Sequence, residues 1–326
     1  MLVRTIKVKA TRLRPRKIPM PKSKITRPEK LQGFLVINKP PRWTSFDVVA
    51  KLRSLTGERN IGHAGTLDPF ATGVLVCAFN EALGLIDHVR AMEKVYRGRV
   101  RLGQSSDTDD IDGSKKVVDQ KARPTEKAVR LTLAKFSGTI EQLPPKYSAV
   151  KVAGRRMYEL ARKGLPIKRE PRKVTIHELN LLAYAYPFID IEARVASGTY
   201  IRALARDVGA ELKTGGFLEE LVRHRVGPFT LEEAHEIGDV TAEKVVRQLV
   251  PMETVIEDLP QITLSAHDLE RLAHGQRIKP PAAVRTMPGQ DIAVVDEKGA
   301  LLMFVRYDAQ DDVIKSSKIF DEKLKR

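Results

Sequence analysis

The residue types most able to do chemistry are gathered in one twelve-residue stretch, Gly62–Gly73 (GHAGTLDPFATG). Asp68 is its one carboxylate and His63 its one imidazole, with Thr66 and Thr72 as hydroxyls and three glycines between them. Glycines let a ligand come close to the backbone, and Asp-Pro fixes a turn that can hold a carboxylate in a defined place. The same spacing also fits an Asx-turn in which Asp68 only bonds nearby amides. No GxxxxGK[ST] loop, no GxGxxG after a strand, no HExxH and no paired-cysteine pattern occurs in the chain. The candidate chemistry is therefore that of a carboxylate working without a metal or a bound coenzyme.

The loop lies between elements able to hold it rigidly. Phe34–Asn38 (FLVIN) and Val74–Phe79 (VLVCAF) are short continuous apolar runs, expected as buried strands. Thr44-Ser45-Phe46-Asp47 is a helix-start box, followed by the stripe Val48, Leu52, Leu55 and by Gly57 as a stop. Further along, strands are expected over Tyr96–Leu102 and Phe188–Val195, an acidic turn over Asp107–Gly113, and a helix over Thr125–Phe136. Ile201, Leu204, Val208 and Leu212 form a helical stripe that Gly215-Gly216 would end, and Thr241–Leu249 is also helical. Ser265–His274 is a short helix candidate, and Ile292–Val295 with Leu301–Tyr307 flank a hairpin-like turn. Strands and helices mix without strict alternation. The expectation is an α+β main domain and a small mostly-β domain after it.

Composition sets the outer limits. The 326 residues are 42% hydrophobic and 30% charged, which is ordinary globular composition. No apolar run is long enough for a membrane helix, and the N-terminus lacks the apolar core of a secretory signal. The lone Cys77 cannot pair internally. The net charge of +16 is concentrated: residues 1–30 carry +10 and residues 146–173 carry +8, so the remainder is nearly neutral. The first segment contains four prolines and reads as a basic leader, with an organelle transit peptide as the competing reading. The second alternates basic residues with Tyr147, Met157 and Tyr158, as expected of a surface that meets a nucleic-acid backbone.

Six ordered blocks then carry a resemblance: Gly33–Val49, Gly62–Leu75, Lys94–Gly113, Gln142–Gly164, Ser197–Gly209 and Arg225–Phe229. Over about residues 33–230 the chain resembles the TruB family of tRNA pseudouridine synthases. The tail, from Leu259 onward, resembles that family's PUA-like domain. The resemblance implies a pseudouridine synthase fold, with a central mixed, mainly antiparallel sheet flanked by helices. It also implies a leader over 1–32, a catalytic domain over 33–252 with an RNA-gripping insertion at about 145–173, and a C-terminal domain over 253–326.

By the same resemblance the reaction is conversion of uridine to pseudouridine in the T loop of tRNA, at the position conventionally numbered 55, by a monomer needing no cofactor or metal. Asp68 would be the catalytic carboxylate. A carboxylate can attack as a nucleophile, take a proton from the sugar, or stabilise positive charge at C1′, and the sequence does not choose among these roles. Tyr96 would stack on the flipped base, where a strand tyrosine in the core is the plainer reading. Tyr200 and Arg202 would line the same pocket, with Arg202 pairing Asp68 before substrate enters. By spacing alone, Arg202 and Arg206 would be the exposed basic face of a helix. His63 would stack in the gap left by the target base, and Leu221 would form an aliphatic wall. Lys39, Lys146, Lys151, Arg155, Arg156 and Arg162 are the expected RNA contacts. The chain departs from the family pattern at Asn80–Gly84 and Leu221–Arg225, with the loss of one basic phosphate contact at the first. Two rival readings remain, a guide-RNA-dependent synthase of the dyskerin type and a tRNA-binding chaperone without chemistry. The expected location is the cytoplasm, or an organelle if the leader is a transit peptide.

Overall fold

A computed structural model describes residues 30–118, 123–147, 151–152, 155–156 and 169–325, the four residues 151, 152, 155 and 156 by backbone alone. The leader up to residue 29, Arg162 and the side chains of Lys151, Arg155 and Arg156 lie outside the described residues. Chain order gives β1 (Gly33–Lys39), α1 (Ser45–Thr56), β2 (Ile61–His63), β3 (Thr72–Phe79), α2 (Ile86–Ala91) and β4 (Lys94–Leu102). A ribbon, β5 (Gln104–Ser106) and β6 (Lys115–Val117), leads to α3 (Glu126–Ala134) and β7 (Gly138–Gln142). The short pair β8 (Lys151–Val152) and β9 (Arg155–Arg156) precedes the hairpin β10 (Arg172–Ala185) and β11 (Phe188–Val195). Helix α4 (Ile201–Glu211), β12 (Gly216–Val226), β13 (Phe229–Thr230), β14 (His235–Glu236) and α5 (Ala242–Gln248) follow. The C-terminal part holds β15 (Gln261–Ile262), α6 (Ala266–Ala273), β16 (Ile292–Val295), β17 (Leu301–Asp308) and β18 (Val313–Ile319).

Among the described residues ten strands form one sheet in the order β14-β1-β3-β12-β4-β11-β10-β7, with β2 on β3 and β13 on β12. The β1–β14 and β3–β12 pairs are parallel and the others antiparallel. This is the mixed, mainly antiparallel sheet expected from the resemblance. β1 and β3 are buried on both faces. Phe34, Val36, Val74 and Val76 face one core, while Leu35, Ile37, Leu75 and Cys77 face another with Val48, Val49 and Leu52 of α1. Strands covered on both sides have no polar face, which explains their continuous apolar runs. α1 starts on the expected box: Thr44 accepts from the Asp47 amide, and Asp47 Oδ2 accepts from the Thr44 amide at 2.8 Å.

β4 and β11 instead alternate. Val100, Leu102, Ile189, Ile191 and Ala193 pack with Leu218 and Leu221 of β12 beneath Ile201, Leu204 and Val208 of α4. Their opposite face is a charged ladder. Arg97 pairs with Glu192, Arg99 with Asp190 and Arg101 with Glu219, while Glu93 takes both Arg194 and Arg225.

The C-terminal strands form a four-stranded sheet, β15-β16-β17-β18. Ala293, Val295, Leu301, Phe304 and Phe320 from this part share a core with Phe34, Val74, Leu85 and Val89 of the first part. Residues Leu31–Arg326 accordingly form one compact unit. The 3-10 turn Asn80–Leu85, which contains the expected departure at Asn80–Gly84, places Gly84 against Lys318 and Phe320, so it serves this junction. Two long strands, β10 and β12, were not expected from the sequence. The helix before β12 ends at Glu211 with Leu212 as its C-cap, ahead of the two glycines, and Gly216 opens the strand.

Candidate active site

The loop joining β2 to β3 is fixed on both sides of Asp68. Ser45 at the start of α1, 2% exposed, accepts from the Leu67 amide at 2.9 Å and donates to the Leu67 carbonyl at 3.3 Å. The Pro69 carbonyl accepts from the Arg42 amide at 2.8 Å and from Lys39 Nζ at 3.2 Å. Arg223 of β12 clamps the two ends of the turn, with Nε donating to the Val74 carbonyl at 2.7 Å and Nη2 to the Gly65 carbonyl at 3.1 Å. Gly73 makes this approach possible. It has a φ of +99°, and a Cβ there would lie 2.3 Å from the Arg223 carbonyl oxygen.

Asp68 points at Arg202, which α4 presents from its first turn. Nη2 donates to Oδ1 at 3.1 Å, and Nε lies 2.9 Å from Oδ2 but off the line of a hydrogen bond. The rest of the guanidinium is used as well. Nη1 donates to Asp110 Oδ2 at 3.0 Å and to the Thr108 carbonyl at 3.1 Å, and Nη2 donates to the Tyr147 carbonyl at 2.8 Å. One turn on, Arg206 Nη1 donates to Asp109 at 2.9 Å. The acidic turn thus supplies one carboxylate to each of two arginines on the same helix face, and Arg202 is buried rather than exposed (5%).

The electrostatics of the two carboxylates differ in access. Asp110 is closed off, whereas a third of the Asp68 side chain reaches solvent. Burial pushes the Asp68 carboxyl up from its ordinary range; Arg202 opposes that, while Asp110 and Asp112 reinforce it. An accessible carboxylate held by one guanidinium is equipped to meet a developing cation or a proton. Among the described residues no group of three or more His, Cys, Asp or Glu is arranged to hold a metal ion.

Tyr96 is half-buried on β4 and packs against the core that contains Leu67 and Leu221. Leu221 sits on β12 opposite Gly98, two residues along β4 from Tyr96, so it shares a sheet face with the phenol. Tyr200 is the residue from which α4 begins. Asp68 and Arg202 thus meet at the first turn of α4, which Tyr200 opens, while Tyr96 and Leu221 belong to the core that packs beneath this helix. His63 stands at the other end of the loop, paired with Cys77 across β2 and β3. Its Nδ1 is buried without a hydrogen-bond partner, and burial, then Arg90 and Arg223, push its pKa down, which keeps the ring neutral.

The expected RNA contacts separate. Lys146 is exposed at the foot of the insertion, beside the Tyr147 carbonyl that Arg202 holds. Lys39 is a correction: it is fully buried, with Nζ donating to the carbonyls of Pro40 at 2.9 Å, Trp43 at 2.7 Å and Pro69 at 3.2 Å. All three of its donors are spent on backbone, so it braces the Asp68 loop and cannot reach a phosphate. Sequence reasoning did not single out Ser45, Asp109, Asp110 or Arg223. The one available signal was the adjacent acid pair in DTDDIDG, matched by Arg202 and Arg206 four apart.

Residues 53–201 match the TruB family pseudouridylate synthase N-terminal domain. The chain is 42% identical over 279 residues to the tRNA pseudouridine synthase B of Thermobifida fusca, a match covering 82% of this chain and 94% of that one. It is 34% identical to the protein of the same name from Geobacillus thermodenitrificans, covering 89% and 100%. Among solved structures, the Cbf5-Nop10-Gar1 complex shares the fold with a TM-score of 0.70 at 23% identity, covering 89% of this chain and 85% of that one. Identity of this extent over nearly the full length of the relatives places the chain in the TruB family of pseudouridine synthases.

Proposed function

We propose that this protein isomerises uridine to pseudouridine in tRNA, at position 55 of the T loop, acting without guide RNA or partner protein. The reaction breaks the N1–C1′ bond and forms C5–C1′; C5 loses its proton and N1 gains one. It is an internal exchange, with no net oxidation and no external group to carry. The observation that carries the reading is the Asp68–Arg202 pair, the guanidinium fixed behind by Asp110 and the carboxylate left one-third open. Asp68 meets the C1′ side of the nucleotide, as a nucleophile or as a base toward the sugar. Tyr96 and Leu221 receive the extruded base, since the glycosidic bond of a stacked nucleotide is out of reach. His63, neutral and planar, occupies the stack that the base has left.

The test uses purified protein, an unmodified tRNA transcript carrying tritium at uridine C5, and no guide RNA. Wild type releases tritium from one uridine, and Asp68→Asn releases none while still binding the transcript. Normal turnover by Asp68→Asn would remove the assignment. Activity only after a guide RNA is added would point to the guide-dependent class instead.

A further inference from the structure

We propose that Gln142 is a positioning residue for this reaction: its side-chain amide sets the backbone of Tyr200 and, through it, the phenol and the Arg202 guanidinium facing Asp68. The inference rests on the function proposed above and concerns a residue outside the set that touches the nucleotide.

Gln142 is the last residue of β7, on the strand at the end of the large sheet, yet it is 1% exposed. A buried primary amide is retained only where its donor and acceptor are both used. Here both go to one residue. Oε1 accepts from the Tyr200 amide at 2.9 Å, and Nε2 donates to the Tyr200 carbonyl at 3.1 Å. The side chain thus pairs with Tyr200 as a neighbouring strand would. The same carbonyl accepts from the Leu204 amide at 3.1 Å, so Gln142 acts on the first hydrogen bond of α4.

The surrounding chain shows why an external brace matters at this point. Tyr200 is extended, with φ −103° and ψ 110°, and no side chain caps the helix. Upstream, Ser197 and Gly198 are exposed, and Gly198 has a φ of +88° with open space around it. The link from β11 to α4 is also held by the Ala196 amide, which donates to the Thr175 carbonyl at 2.9 Å, and by Thr199 Oγ1, which donates to the Ala196 carbonyl at 3.0 Å. Arg202 follows Tyr200 by two residues and must meet Asp68 and Asp110 together. A small rotation of the first helical turn would move the phenol and the guanidinium at once.

The experiment compares wild type, Gln142→Glu and Gln142→Leu in single-turnover pseudouridine formation, with tRNA affinity and melting temperature measured alongside. Gln142→Leu keeps the bulk and removes both hydrogen bonds. Its rate is expected to fall ~10–100-fold, the scale of misplacement by about an ångström, with tRNA affinity within about threefold of wild type. Gln142→Glu keeps the acceptor for the Tyr200 amide and is expected to fall between the two. A wild-type rate in either variant overturns the inference. So does a loss in which affinity drops as much as rate, because that marks general damage. Should Gln142→Leu fail to fold, Gln142→Glu decides alone, by a lowered rate at unchanged affinity or by no change. Failure of wild type to form any pseudouridine would strike the proposed function itself.

Discussion

Replacing Arg202 by Gln should move the acid limb of the pH–rate profile upward and, separately, destabilise the fold. The two effects arise on opposite sides of one guanidinium. On the Asp68 side, charges about 3 Å apart interact by roughly 5 kcal/mol at an effective dielectric constant of ~20. A third of the Asp68 side chain meets water, so screening leaves only part of that, on the order of 1.5–3 kcal/mol. Arg202 favours the ionised carboxylate, so without it ionisation is harder and the limb shifts to higher pH. On the Asp110 side, a closed-off carboxylate loses its partner, a change that typically costs about 3–5 kcal/mol. For a chain of this size that lowers the melting temperature by roughly 5–8 °C. Adding Asp110→Asn removes the stranded charge and should restore most of the stability. It should leave the limb displaced, though by less, because Asp110 also opposes ionisation of Asp68. Single-turnover rates across pH and thermal melts of the three proteins provide both readings. Coincident acid limbs in all three, or a double variant melting no higher than the single one, would refute the reasoning.

Further outcomes follow from neighbouring contacts. Gly73→Ala should fail to fold or melt far below wild type in a thermal scan, since the new methyl would sit against the Arg223 backbone in the β3–β12 pair. Asp68→Asn should melt at or above wild type near pH 7. The folded carboxyl is raised above its unfolded value, so ionising it costs stability as pH rises through that window, and the difference should shrink toward pH 4. Burial pushes Lys39 down to about 8 against an unfolded value of 10.5. The folded protein therefore releases that proton first, and stability from this group grows between about pH 8 and pH 10. The melting difference between wild type and Lys39→Met should widen over that range, and a constant difference would refute the assignment.

The sequence exposed what local pattern controls. FLVIN and VLVCAF are visible because both faces of β1 and β3 are covered, and the α1 box is visible because its hydrogen bonds span only three residues. β12 was not visible for a physical reason. In GFLEELVRHRV, register shifts at Leu218/Glu220 and Arg223/Arg225 break the alternation, leaving apolar pairs that look neither strand-like nor helical. β10 carries two such shifts as well. Within the site, Asp68 stood out by its loop, but Lys39 looked like a surface cation. Its burial depends on carbonyls as distant as Pro69, and the partner acids of Arg202 and Arg206 lie more than ninety residues away. Contacts of that range leave no period in the sequence.

The ladder of ion pairs on the outer face of β4, β11 and β12 bears on which way a polyanion can come. Arg97, Arg99, Arg101, Arg194 and Arg225 look like a cationic strip when counted, yet each already has a carboxylate within 3.0 Å. A phosphate arriving there would have to displace an anion that is tethered and therefore always present. That side of the molecule is electrically spent: its five arginines are committed to fixed carboxylates and offer a polyanion little free charge.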